Sequence, residues 1–119
     1  MRTLAILLLA LGGVGGLAAC SSTPATLSPE DERVLRPVPD MTPEVRPLVE
    51  RGDALFVEAL PPHHNGDTAT ALDRYSRARA SYLEAQTHYS GLVPQPLLDR
   101  VKACVLRIAE LQRKRHSGS

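Results

Sequence analysis

The chain has 119 residues and a net charge of +1, so it has room for one domain and no broad field to draw it onto nucleic acid or anionic lipid. Its aromatic residues are Phe56, Tyr75, Tyr82 and Tyr89, with no Trp, which argues against base-stacking platforms and aromatic-lined sugar sites. Only Cys20 and Cys104 could form a disulfide, so no disulfide framework is expected.

The first element has the layout of a secretory signal: Arg2, then the apolar run Leu4–Leu11. The apolar stretch ends at Ala19, short of the roughly 20 residues of a membrane-spanning helix. Gly12, Gly13, Gly15 and Gly16 weaken it further as a helix, by about 1 kcal/mol each relative to Ala. The segment closes on Leu17-Ala18-Ala19-Cys20, which resembles the lipobox of bacterial lipoproteins. That resemblance implies cleavage between Ala19 and Cys20, a diacylglycerol on the Cys20 thiol and an acylated new amino group. The lipid bilayer then becomes the first expected partner, because two or more acyl chains hold stably at about 0.8 kcal/mol per buried CH₂. Ser21 stands where an Asp would favour the inner membrane in Gram-negative lipoproteins, which implies the periplasmic face of the outer membrane. The other reading is an ordinary secretory signal whose cleavage site adjoins a cysteine.

Residues 20–42 read as a tether. Pro24, Pro29, Pro37 and Pro39 remove backbone donors and favour extended chain, and the few apolar residues have no period. Fully extended in polyproline form, it would reach on the order of 70 Å. The "PEDER" stretch, Pro29–Arg33, reads as solvated linker rather than a helical turn.

Residues 43–116 carry three periodic stretches, and 117–119 a short tail. In the first, Val45, Leu48, Val49, Gly52, Leu55, Phe56, Ala59 and Leu60 recur at three- and four-residue steps and predict a helix over 43–60. Thr42 is its expected N-cap, and Pro61-Pro62 its expected end. A turn then spans 61–67, and Asp67, Thr68 or Thr70 can cap a second helix running to Tyr89. In that helix Ala71, Tyr75, Ala78, Tyr82, Ala85 and Tyr89 step four and three in alternation, a single stripe. The stripe predicts helix pairing with wet hydroxyl ends; the sharper alternative makes Tyr82 and Tyr89 a partner surface. The third helix is expected from Pro96 to Arg115, with Leu97, Leu98, Val101, Cys104, Val105, Ile108 and Leu111 on its apolar face. The expected fold is all-α, a three-helix bundle or an open helical array.

Gly52-Asp-Ala-Leu-Phe56 followed by "ALDRYSRA", Ala71–Ala78, resembles a tetratricopeptide repeat. In that family a glycine on the first helix admits the second, and an Ala, aromatic, Ala set packs against it. Gly52, Ala71, Tyr75 and Ala78 match in type. The loop is too long, the proline after the second helix is missing, and there is one repeat at best, with the third helix as a cap. The resemblance covers about 45–89 and implies protein–protein interaction.

Chemistry is sparse. His63, His64 and Asp67 form the best candidate ligand set, but adjacent loop histidines seldom converge on one ion, so no metal and no cofactor is expected. There is no HExxH pair, phosphate loop or nucleophile elbow. Cys104 reads as a small core residue. The expectation is a non-enzymatic, lipid-anchored protein that presents its helices to an unidentified envelope protein, as an adaptor, accessory or pilotin-like subunit. Two alternatives remain: a structural protein touching wall polymer through Arg113, Lys114 and Arg115, and a periplasmic metal or small-ligand binder through His63 and His64.

Overall fold

The computed structural model describes residues 27–117. The signal segment, the Ala19/Cys20 cleavage site and the first part of the tether lie outside them. The described residues are all-α: α1 is Pro29–Val34, α2 Val45–Asn65, α3 Thr68–Gln86 and α4 Gln95–Ser117. The chain divides into two units, residues 1–33 and residues 34–119.

In the first unit, "PEDER" departs from the linker expectation and forms the start of α1. The Ser28 hydroxyl accepts from the Asp31 amide at 3.1 Å and donates to the Asp31 carboxylate at 2.9 Å. Ser before Pro, followed by Glu30, Asp31 and Glu32, is a helix N-terminus in every position.

The second unit begins before residue 43. Val38 is buried, and the Arg36 carbonyl and side chain are both bound by α4, so part of the expected tether belongs to the helical domain. α2 starts two residues later than expected, at Val45 with Glu44 in the N-cap position, though the Thr42 hydroxyl still accepts from the Val45 amide at 3.3 Å. Its end differs: the helix continues through Pro61 and Pro62 to Asn65, so no turn spans 61–65. The carbonyls that lose amide donors to these prolines are those of Val57 and Glu58, two exposed residues of α2. The stop is instead Gly66, whose φ of 82° closes the helix in the left-handed region. The Asp67 amide then donates to the Pro62 carbonyl at 2.9 Å, and the Asp67 carboxylate caps α3 by accepting from the Thr70 amide at 3.3 Å.

α3 ends at Gln86 rather than Tyr89. The Thr87 hydroxyl donates to the Glu84 carbonyl at 2.6 Å, and the next amides bond three residues back, which tightens the last turn and stops the helix. α3 is the central helix, packed on one side against α2 and on another against α4. Ala71, Tyr75, Ala78, Tyr82 and Ala85 are all fully buried along it. The small residues let the neighbouring helices approach, and the two rings fill the space between.

The buried side of α4 is the expected one at Leu97, Cys104, Ile108 and Leu111, and differs at three positions. Leu97, Arg100, Cys104, Ile108 and Leu111 face inward, while Leu98 and Val105 remain 39% and 45% exposed. A charged residue, Arg100, shares the core stripe of α4.

Candidate functional site

The interior of the helical domain is organised by two polar clusters that span all three long helices. The first is centred on Arg100, only 2% exposed. Its Nε donates to Asp53 Oδ1 at 2.8 Å and one terminal nitrogen to Oδ2 at 3.2 Å, a forked pair across α4 and α2. The other terminal nitrogen donates to the Arg36 carbonyl at 2.8 Å and the Pro96 carbonyl at 3.3 Å. α3 joins through Tyr82, whose hydroxyl donates to Asp53 Oδ1 at 2.5 Å. Burial, and then the Asp53 charge, push the Tyr82 phenol far above its ordinary range, so it stays a donor. Arg36 also pairs with Asp99 at 2.8 Å, which fastens the segment before α2 onto α4. Hydrogen bonds from Gln95 and then Arg36 hold the Asp99 carboxyl below its usual value.

Gly52 lies directly against this cluster. A Cβ there would fall 2.9 Å or less from three carbons of the Tyr82 ring. Beside it, the Ser81 hydroxyl donates to the Leu48 carbonyl at 2.7 Å, a second stitch between α2 and α3.

The second cluster surrounds Tyr75. Its ring meets Phe56 edge-on at a centroid distance of 5.5 Å, and the Arg107 guanidinium lies 4.8 Å from the Phe56 ring centre. Arg107 donates to the Tyr75 oxygen at 3.4 Å, and His63 Nδ1 is 2.8 Å from the same oxygen. With Arg107 donating to that oxygen, the Tyr75 hydroxyl is best placed to donate to an unprotonated Nδ1. Burial, chiefly, lowers the His63 pKa from its ordinary 6.5; Glu110 opposes this, while Arg107, His64 and Lys114 reinforce it. Because the folded value is the lower one, the unfolded chain takes up the proton first as pH falls. The domain is therefore expected to lose stability as pH drops below 6.5 toward the folded value. Urea midpoints measured from pH 8 to about 5 check this, and His63→Gln should flatten that limb of the profile.

These positions revise several expectations. Tyr82 is wholly buried under Asp53 and Gly52, so it is a packing residue and no part of a partner surface. Tyr89 is half-buried beyond the end of α3, and its hydroxyl, expected to be wet, is enclosed without a hydrogen-bond partner. Gly52, Ala71, Tyr75, Ala78 and Ala85 all lie in the helix contacts. His63 and His64 stack with centroids 5.8 Å apart, on the last turn of a helix rather than a loop. Among the described residues no three His, Cys, Asp or Glu side chains gather as a metal site requires. Cys104 is a buried free thiol, pushed up to about 12 by burial, and packs as an apolar group.

Asp53, Arg100, Arg107 and Arg36 did not emerge from the sequence as functional residues. A signal was present: Arg100 sits at the right spacing between Leu97 and Cys104 on the apolar stripe of α4, as Asp53 does between Val49 and Phe56 on α2. A lone opposite charge on each of two facing stripes marks a buried pair. Comparison with protein-family models, curated proteins and solved structures finds no match for this chain.

Proposed function

We propose that the chain is a lipoprotein anchored through acylated Cys20 at the periplasmic face of the outer membrane. It presents its helical domain to another envelope protein as a non-enzymatic adaptor, accessory or pilotin-like subunit. The observation that carries this reading is Leu17-Ala18-Ala19-Cys20 placed directly after a basic and apolar leader. The clusters inside the domain agree with it. Asp53, Arg100 and Tyr82 satisfy one another and hold helices in register, the use expected of polar groups in a presenting scaffold. Kinship of the α2–α3 hairpin with the tetratricopeptide repeat belongs to the same proposal and supplies the protein-binding role.

The anchor is tested by intact-mass measurement of the protein expressed in a bacterial envelope. The mature chain should begin at Cys20 and carry the mass of a diacylglyceryl group with a further acyl chain. Cys20→Ala should abolish both cleavage at that bond and partition into detergent. A mature N-terminus elsewhere, or an unmodified Cys20, would overturn the reading. Crosslinking in the intact envelope tests the second half, since an accessory subunit should recover one reproducible partner.

A further inference from the structure

The α2–α3 hairpin has an outer face that the proposed anchor and adaptor role leave unexplained. α4 is engaged by Asp53 and Phe56 of α2 and by Tyr75 of α3. At 100° per residue, the opposite side of the hairpin carries positions 51, 54, 55 and 58 of α2 and 77, 80, 81 and 84 of α3. They line a single groove. Its floor is small: Ala54 and Ala80 are exposed and Leu55 is half-buried. Small residues at the centre of a helix pair are what let further helices pack closely upon it.

The charges at the groove's two ends are arranged with opposite signs. α2 carries Arg51 at one end and Glu58 at the other, and the antiparallel register fixed by Ser81–Leu48 and Arg74–Glu58 puts Glu84 at the Arg51 end of α3 and Arg77 toward the Glu58 end. Glu58 is 3.5 Å from Arg74, and Arg77 is 3.3 Å from Asp73. Arg51 and Glu84 make no ion pair among the described residues. The pattern is self-complementary. A two-fold axis parallel to the helices lays α2 of one copy on α3 of another. Arg51 then meets the partner's Glu84, and Glu58 meets the partner's Arg77, each twice. The reversed placement, α2 on α2, brings Arg51 to the partner's Glu58 and Arg77 to the partner's Glu84. In neither two-fold placement do these four charges meet their own sign.

We infer that this face is a self-association surface and that its occupant is a second copy of the same chain, forming a four-helix contact. The inference is independent of the lipid anchor, since nothing in it uses Cys20.

Sedimentation equilibrium of the full chain in non-ionic detergent, over a range of protein concentrations, tests it. A dimer is expected, weakening as salt rises. Arg51→Glu turns an attraction into a repulsion twice per dimer, and should weaken association by about tenfold or more while leaving the helical circular-dichroism signal unchanged. Adding Glu84→Arg should restore the dimer if α2 lies on α3; adding Glu58→Arg should restore it if α2 lies on α2. Either rescue supports the inference and fixes the register. A monomer throughout, a dimer indifferent to Arg51→Glu, or a loss that neither second substitution repairs would overturn it.

Discussion

Arg100→Ala is expected to destabilise the helical domain by about 3–5 kcal/mol, the cost of leaving one member of a buried ion pair without the other. Three separate groups each lose the bonds that Arg100 supplies. Asp53 loses both prongs of the guanidinium, and the Arg36 and Pro96 carbonyls lose theirs. Asp53 is 31% exposed, so water reaches it in part, which places the effect toward the lower end of that range. Against a total stability of about 5–15 kcal/mol for a small domain, that is a large share. Urea unfolding of the full chain followed by circular dichroism measures it. Arg100→Lys separates charge from geometry, because an ammonium can meet Asp53 but cannot reach Arg36 with a second rigid prong. It should recover part of the loss and leave the segment before α2 less protected from proteolysis. Arg100→Ala within about 1 kcal/mol of the parent would mean that the pair is not formed. The apolar replacement Asp53→Leu with Arg100→Met should cost less than Arg100→Ala alone, since no charge is then left buried and only neutral groups, the Tyr82 hydroxyl among them, lose a partner.

The same residue shows where the sequence was transparent and where it was not. Periodicity located α2, α3 and α4 because each buries a stripe, and burial is what periodicity records. The Ala71–Ala85 stripe is buried along its whole length. Periodicity erred at Pro61-Pro62 because the cost of proline in a helix, a lost amide donor and a ring against the carbonyl four residues back, is a local penalty that the rest of α2 can outweigh. The residues whose carbonyls lose those donors, Val57 and Glu58, are on the exposed side of α2. It erred again on α4, where Leu98 and Val105 were counted with the core and Arg100 was not. Hydropathy ranks a residue by the average cost of burying it, whereas Arg100 is buried at a place where Asp53 and two carbonyls await it. That complement comes from residues far apart in the chain, and no local pattern contains it. Cys20 is the converse case. Its proposed role rests wholly on the local motif, and it lies outside the described residues.

Gly52→Ala should change sign with its neighbour. In the parent chain the new methyl would enter the Tyr82 ring, 2.9 Å or less from three of its carbons. A ring at the end of a mobile side chain could swing aside. Tyr82 is instead fully buried, and its hydroxyl is fixed on Asp53 at 2.5 Å. Moving the ring therefore disturbs the Asp53–Arg100 pair as well. Overpacking of this kind costs about 1–3 kcal/mol. The intrinsic gain from replacing glycine with alanine inside a helix, about 1 kcal/mol, offsets only part of it. Tyr82→Ala is itself costly, because it opens a cavity and takes a donor from Asp53, but it removes the obstacle. In that background Gly52→Ala should be stabilising, leaving the helix-propensity term alone. A double-mutant cycle in urea reads the coupling directly, with an expected interaction of about 1–3 kcal/mol. Additive effects would show that the close approach of α2 to α3 at this point does not depend on the ring. A sign reversal would show that Gly52 is present because Tyr82 occupies the space its side chain would need, and that Tyr82 is held there by the charge pair behind it.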